Sequence, residues 1–171
     1  MKNNIKTFIK EKKIIAKLLI ILSLVVIDLI TKVFSSTYFA TNDMPVSILW
    51  GLISFTFVKN TGAAFGSFSS STIFLTIISF VFVVVFVVVD IYQKRQTRLY
   101  TYGYTLIVAG AVGNLVDRLF LGYVRDFIKF SMFDFVCNIA DVCICIGVFL
   151  YVLDLVLSSF KDKKETKNDE R

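Results

Sequence analysis

The sequence contains no histidine and only one proline, and each scarcity excludes a class of protein. Without histidine the common Cys/His zinc site cannot form, and a serine or cysteine nucleophile lacks its usual imidazole base. Disorder is excluded as well, because the chain is rich in Phe and Val and poor in proline. The cysteines are odd in number, and we interpret Cys137, Cys143 and Cys145 as small apolar residues in or beside a helix.

Apolar side chains, by contrast, are abundant. Hydrophobic residues make up 56% of the 171 positions, which is above the usual composition of soluble proteins. We therefore predict an integral membrane protein. Spans of about 20 residues leave room for several helices and for no separate soluble domain, so residues 1–171 are expected to form one membrane domain.

Four apolar segments have the length of membrane spans, at about residues 14–34, 72–92, 99–121 and 135–160. Polar residues gather at the end of the third segment and at the start of the fourth. Because a short connection joins these two ends, both must lie on the same side of the membrane. The sequence thus predicts an all-α polytopic fold with four transmembrane helices.

Basic residues are distributed unevenly around these spans. Most of the 19 lysines and arginines precede the first span, lie between the second and third, or follow the fourth. By the positive-inside rule these regions, and with them both termini, are cytoplasmic. The net charge of +6 then reflects topology and attraction to anionic lipids, and no nucleic-acid partner is expected. A cleavable signal peptide is the rival interpretation of the N-terminus, but the apolar run is long for one and no A-x-A-like site follows it.

The segment between the first two spans has a different character. Residues 54–58 alternate polar and apolar side chains and are rich in aromatic and β-branched residues, which is typical of a strand. Asn60 follows, and Gly62 and Gly66 allow unusual backbone angles and the close approach of another chain. A short strand with a small-residue lip could hold an extended peptide by strand addition, although a plain interfacial turn would have the same composition.

One face of the third span is polar. At helical spacing Gly110, Gly113, Asn114, Asp117 and Arg118 share this face, which therefore cannot point at lipid. We interpret the glycines as helix-packing residues. Asn114 and Arg118 can present hydrogen-bond donors to a substrate.

Two acids stand beside the apolar segments, Asp126 after the third and Asp141 just inside the fourth. An ionised Asp at a bilayer centre costs about 2.5–3.5 kcal/mol on insertion scales, so such acids are functional candidates. Two neighbouring carboxylates cannot both ionise cheaply, so the pair is expected to share one proton and to activate water. Asn138 lies three residues before Asp141 and shares its helix face. In the first span, Asp28 and Lys32 are four residues apart and suit an internal ion pair.

Two other functions use the same residues differently. A serine/lysine protease could employ Lys59 or Lys32 as its base, but neither lysine has a serine at a helical spacing that demands this role. A transporter or membrane adaptor could use Asp126 and Asp141 to bind ions or protons, but four spans without an evident repeat or broken-helix pair argue against a transporter.

Several motifs occur in the order that is typical of a known family. They are Asp28-x-x-Thr31-Lys32, Asn60-x-Gly62-Ala63-Ala64-Phe65-Gly66, Gly110-Ala111-x-Gly113-Asn114-x-x-Asp117-Arg118, Val124-x-Asp126-Phe127 and Asn138-x-Ala140-Asp141. On these motifs the chain resembles the prolipoprotein signal peptidases, also called signal peptidase II, over nearly all of its length. It departs from the family pattern at Leu29 and Cys137, and the connection between Asp126 and Asn138 is short.

The resemblance implies a four-helix membrane aspartyl endopeptidase with a small extracytoplasmic strand region, or cradle. Asp126 and Asp141 would be its catalytic acids, and Asp117 a supporting residue. The residues expected to bind the substrate or to support the site are Asn60, Gly62, Asn114, Asp117, Arg118 and Asn138.

The resemblance also implies the setting of the reaction. The substrates would be lipid-modified prolipoproteins, cut on the N-terminal side of a diacylglyceryl cysteine whose acyl chains lie in lipid. The active site would face the extracytoplasmic side of a bacterial cell membrane. No metal or other cofactor is implied, and we expect a monomer in contact with membrane lipids.

Overall fold

The computed structural model describes residues 2–42, 44–62, 72–93 and 97–169, with only the backbone for residues 2–10, 13 and 162–169. In chain order the elements are α1 (Lys2–Thr41), β1 (Val46–Ile48), β2 (Ile53–Asn60), α2 (Thr72–Tyr92), α3 (Arg98–Leu121), β3 (Val124–Phe130), β4 (Val136–Cys137) and α4 (Ile139–Asp169). The described residues include four helices that are long and apolar enough to cross a membrane. The predicted lip at residues 63–66, and Lys94 and Arg95 of the predicted cytoplasmic loop, lie outside the described residues.

The four-helix fold with a small strand region is confirmed, and the strand region is larger than the sequence indicated. The strands form one antiparallel sheet in the order β1-β2-β3-β4. Only the stretch within β2 is evident from alternating side chains. In this sheet Asp126 of β3 pairs directly with Val58 of β2.

On the side of the sheet, two helix boundaries differ from the prediction. The first helix continues to Thr41, seven residues beyond the predicted end at residue 34, and includes polar residues whose hydroxyls are satisfied within the helix, since Ser36 and Thr37 donate to the Val33 carbonyl at 2.9 and 3.0 Å. The fourth helix begins at Ile139 and not at residue 135, because residues 136–137 pair with β3 and Asn138 caps the helix. Polar residues therefore extend one helix and terminate another, which apolar length alone does not reveal.

α3 is the central helix of the bundle. More than half of its apolar window is buried, whereas no residue of α2 is. Glycines let α3 approach its neighbours closely. A Cβ at Gly103 would come within 2.8 Å of the Gly147 carbonyl oxygen of α4, a Cβ at Gly110 would collide with the Ala140 carbonyl oxygen of α4, and a Cβ at Gly113 would come within 2.6 Å of the Asp28 carboxylate of α1. The packing role predicted for these small residues of α3 follows from these contacts. The other helices present apolar side chains outward, as lipid-facing helices do.

Candidate active site

Asp126 lies in the middle of the polar site, on β3. It occupies a position of the sheet face that is otherwise apolar, two residues after buried Val124, and is only 1% exposed. Its Oδ2 accepts a hydrogen bond from Asn60 Nδ2 at 2.8 Å. Asn60 is held in turn by Gly62, whose backbone N–H donates to Asn60 Oδ1 at 2.8 Å while Gly62 adopts a φ of +82°. Gly62 thus acts through Asn60, because its positive φ closes the turn that orients this amide.

Asp141 is positioned by the start of α4. The Asn138 Oδ1 accepts from the Asp141 backbone N–H at 2.9 Å, and Asp141 Oδ2 accepts from the Asn138 backbone N–H at 3.1 Å. This reciprocal pair is a capping box, in which each side chain satisfies a backbone donor of the first helical turn. Asp141 is therefore fixed by secondary structure as well as by side-chain contacts.

Two amide side chains connect the acids. Asn138 Nδ2 donates to Asp126 Oδ1 at 2.6 Å and to Asn114 Oδ1 at 3.1 Å. Asn114 Nδ2 donates to Asp141 Oδ1 at 2.7 Å. Asn138 is completely buried and hydrogen-bonds to both acids, one through its side chain and the other through its backbone. The expected site residues from α3, β3 and α4 thus form one network.

Lys32 extends this network into α1. Its ammonium forms an ion pair with Asp28 at 2.7 Å, lies 3.7 Å from Asp117, and donates to Asn114 Oδ1 at 2.9 Å. Lys32 is fully buried. Asp28 reaches a second helix, since its Oδ1 accepts from the Ala140 backbone N–H at 2.8 Å. The pair therefore does more than neutralise itself: it joins α1 to the start of α4 and fixes which end of the Asn114 amide faces Asp141.

Asp117 holds the first residues of β3. Its carboxylate accepts from the Arg125 backbone N–H at 2.9 Å and from the Arg125 guanidinium Nη2 at 2.6 Å. Arg125 directly precedes Asp126, so this clasp ties the end of α3 to the strand that carries the acid. The sequence analysis assigned Arg125 no role in the site. A signal was present, because an acid at the end of one helix and an arginine eight residues later can pair across a turn.

Arg118 is placed differently from the other expected residues. Its Nη1 lies 3.4 Å from Ser79 Oγ on α2, and its side chain is half-buried. The lysines considered for a serine/lysine protease are engaged elsewhere. Lys32 is ion-paired, and Lys59 Nζ lies 5.2 Å from the centre of the Tyr123 ring.

Burial sets the electrostatics of Asp126. Its pKa is raised from 3.8 to about 6, mainly by loss of hydration, and the neighbouring Asp141 charge acts in the same direction. Hydrogen bonds from Asn60 and Asn138 and the charge of Lys32 act in the opposite direction. The net result is a carboxyl group that gains its proton close to neutral pH.

Two cavities adjoin the acids. One of about 230 Å³ lies over Asp126 and is lined by the end of β2, Asn60, Thr61, Phe135 and Val136. The other, of about 330 Å³, lies between α1 and the sheet and is almost wholly apolar. It is lined by Phe34, Tyr38, Phe55 and Phe127, the last of which directly follows Asp126. A polar cleft and an apolar groove thus meet at this strand.

The arrangement suits acid–base chemistry on water. One carboxyl is buried and readily protonated, and the other is half-buried at a helix start, so the two environments differ as an acid and a base require. Within the described residues, no three carboxylate, thiol or imidazole groups converge to hold a metal ion. Of this network, Asp126 and Asn60 line the polar cavity, so they are the groups that a reactant there contacts.

Known proteins share both the sequence and the fold. The family model described as "Signal peptidase (SPase) II" matches residues 20–157. A lipoprotein signal peptidase of Caldicellulosiruptor bescii is 39% identical over 132 residues, covering 77% of this chain and 85% of the relative. One from Lactobacillus gasseri is 34% identical over 154 residues, covering 90% and 99% of the two chains.

A solved structure agrees with these matches. A bacterial membrane enzyme determined by the in meso method at 1.9 Å superposes with a TM-score of 0.72 and 30% identity, over 82% of this chain and 92% of the other. The chain belongs to the signal peptidase II family, whose members are membrane proteases that remove signal peptides from prolipoproteins.

Proposed function

We propose that Asp126 and Asp141 are the catalytic pair that hydrolyses the signal peptide bond. The observation that carries the proposal is that both carboxylates hydrogen-bond to Asn138, at 2.6 and 3.1 Å, and that one of them lines an open cavity. Two acids that share a rigid partner keep a fixed separation, as a reaction with two coordinated proton transfers requires.

The surroundings support different roles for the two acids. Burial raises the pKa of Asp126 to about 6, so Asp126 holds the shared proton. Asp141 lies in the first turn of α4, where the positive end of the helix dipole and a backbone N–H stabilise a carboxylate. Asp126 is therefore the acid and Asp141 the base at the start of the reaction.

The hydrolysis then proceeds without a covalent enzyme intermediate. Asp141 takes a proton from water while the water oxygen bonds to the scissile carbonyl carbon, and Asp126 gives its proton to the carbonyl oxygen. The resulting gem-diol collapses as Asp141 passes its proton to the leaving amide nitrogen and a diol proton returns to Asp126. The C–N bond breaks, and both acids regain their starting protonation.

The two cavities support a lipid-modified substrate. The peptide lies in the cavity over Asp126, and one acyl chain of a diacylglyceryl cysteine enters the apolar groove beside Phe127. Asn60 donates to Asp126 and also lines the peptide cavity, so it positions both reactants. Arg118, beside α2, is available to the polar head of the substrate.

The membrane setting is also part of the proposal. The site faces the extracytoplasmic side of a bacterial cell membrane, with both termini in the cytoplasm, and the enzyme acts as a monomer. The uneven distribution of basic residues supports this topology.

The test is cleavage of a lipidated precursor by Asp126→Asn and Asp141→Asn. Each variant is expected to lose activity by a factor of about 10² to 10⁴, the usual effect of removing a positioned acid or base. Asp134→Asn is the matched control, because Asp134 is exposed and stands outside the network. Near-normal cleavage by either dyad variant, in a protein that still unfolds cooperatively, would contradict the assignment.

A further inference from the structure

The turn between β1 and β2 has an unusual backbone conformation. Leu49, Trp50 and Gly51 have positive φ angles of 50°, 55° and 87°. The left-handed region is natural for glycine and costly for Leu and Trp, so the hairpin holds these two residues in a conformation that they rarely adopt. In this turn Trp50 is 98% exposed.

A second apolar turn lies beside the first. The Leu52 carbonyl accepts from the Ser131 backbone N–H at 2.9 Å, which joins this hairpin to the turn that follows β3. Met132 is 81% and Phe133 is 51% exposed. Together the two turns form an apolar tip, which consists of Leu49, Trp50, Leu52, Met132 and Phe133.

The position of the tip indicates its partner. α1 crosses the membrane, and Val46 at the start of β1 lines the apolar groove together with Phe34 and Tyr38 of α1. From there the three residues of β1, about 10 Å of extended chain, lead to the tip. The tip therefore lies close to the bilayer surface on the side of the two acids. Exposed Lys129 and Asp134 flank it. An apolar group with a tryptophan and a polar rim, at this height, has the composition of the aromatic belts found at membrane interfaces.

We infer that the apolar tip inserts into the lipid headgroup region and thereby holds the sheet at a fixed height above the bilayer. The ring of Phe133 stacks on that of Phe135 with centroids 5.3 Å apart, and Phe135 lines the cavity over Asp126. The tip is thus connected to the cavity by one ring contact. If the proposed function holds, a substrate anchored in the same leaflet by its acyl chains reaches the cavity at the membrane surface. The insertion of the tip does not depend on the proposed function.

The natural protein carries the probe for this test, because Trp50 is its only tryptophan. The wild-type protein is reconstituted into phosphatidylcholine vesicles whose lipids carry bromine either near the headgroup or near the chain end. Shallow bromines should quench the fluorescence more strongly than deep ones, and aqueous iodide should quench it weakly. Strong quenching by iodide without quenching by brominated lipids would overturn the inference. Protection from both quenchers would also overturn it, since Trp50 would then be covered by protein.

Activity measurements give a second readout. Trp50→Ala should cleave the lipidated precursor normally in detergent micelles and show a raised KM in vesicles. Tyr92→Ala is the control, because Tyr92 is 79% exposed at the opposite end of the bundle. An equal loss in micelles and vesicles would overturn the inference, because Trp50 would then contact the substrate. If the proposed function is wrong, the wild-type protein itself fails to cleave, and the fluorescence result stands independently.

Discussion

At the scale of single residues, the site depends on amides that hold acids. Asn138 caps α4, donates to Asp126 through its side chain and donates to Asp141 through its backbone N–H. The sequence showed that Asn138 and Asp141 share a face, and the motifs singled out both acids. It did not show which donor meets which acid, because Asn60 and Asn114 come from distant elements. The capping box was within reach of sequence reasoning, since an Asn followed three residues later by an acid before an apolar run is its usual signature.

Lys32 is expected to position Asn114 for the reaction. Removing Lys32 alone would leave Asp28 as a buried unpaired charge, so we choose the neutral pair Lys32→Met with Asp28→Asn. The double variant keeps an acceptor for the Ala140 N–H but loses the donor to Asn114 Oδ1. We expect kcat to fall by about 10²-fold with a smaller change in KM, as misplacement of a catalytic group produces.

The control for this prediction is Asp28→Asn alone. In that variant Lys32 still reaches Asn114 and keeps the Asp117 carboxylate, 3.7 Å away, as its counter-charge, so most of the activity should remain. If the single and double variants cleave equally well, Lys32 does not position Asn114.

The pH dependence of cleavage should report the proton on Asp126. Since burial raises the pKa of this acid to about 6, kcat/KM should decline as the pH rises through that region and the proton is lost. The hydrogen bond from Asn60 stabilises the carboxylate and so lowers the pKa. Asn60→Ala removes it, which should raise the pKa and move the decline of kcat/KM to higher pH.

Asn42→Ala is the matched control, because Asn42 is an exposed amide whose Nδ2 donates to the Tyr38 carbonyl. Its profile should coincide with that of the wild type. A shift of the Asn60→Ala profile to lower pH would refute the assignment of the proton to Asp126.

At the scale of elements, the helices were predictable and β3 was not. Membrane spans are recognisable as long runs of apolar residues. Polar residues also marked the end of the third span and the start of the fourth. β3 was not predicted from the sequence because Asp126 occupies an inward position two residues from Val124, where the alternating pattern of a strand requires an apolar side chain. The catalytic candidate itself breaks the period-two pattern that would have revealed its strand. Such local conflicts are expected where function outweighs folding preference.

The contact of α3 with α4 should be sensitive to a single methyl group. A Cβ at Gly147 would lie 2.8 Å from the Gly103 carbonyl oxygen, a backbone atom that cannot rotate away. Gly147→Ala should therefore destabilise the protein by about 1–3 kcal/mol through overpacking, seen as a lower thermal midpoint in detergent.

Val152→Ile is the control for this change. It also adds one carbon to α4, but Val152 is half exposed and faces outward. Equal midpoints for the two variants would show that the helices separate without cost at Gly147.

At the scale of the whole molecule, the ends of the four helices that meet the sheet all lie on one side of the bundle. The sequence established this for the third and fourth spans from their short connection. Which side of the cell it is depends on charge asymmetry alone, and the fold would be equally compact in either orientation. The distribution of basic residues therefore determines the predicted orientation.

Labelling of introduced cysteines should reveal the orientation. With Cys137, Cys143 and Cys145 replaced, Asn42→Cys at the site end should react with an impermeant thiol reagent in intact spheroplasts. Tyr92→Cys at the other end should react only after permeabilisation. The reverse pattern would place the acids at the cytoplasmic face and contradict the proposed setting.

The buried polar face of α3 bears on how the protein is made. α3 is the least apolar of the four membrane-crossing helices, and the partners of its Asn114 include Lys32 of α1 and Asp141 of α4. During synthesis α1 and α2 enter the bilayer before it, but α4 emerges last. Until then part of this polar face has no partner, so α3 is expected to be retained poorly by the lipid. Insertion of α4 therefore stabilises α3 in the membrane and also brings Asp141 to the site. A nascent chain thus cannot become an active protease before its insertion into the membrane is complete.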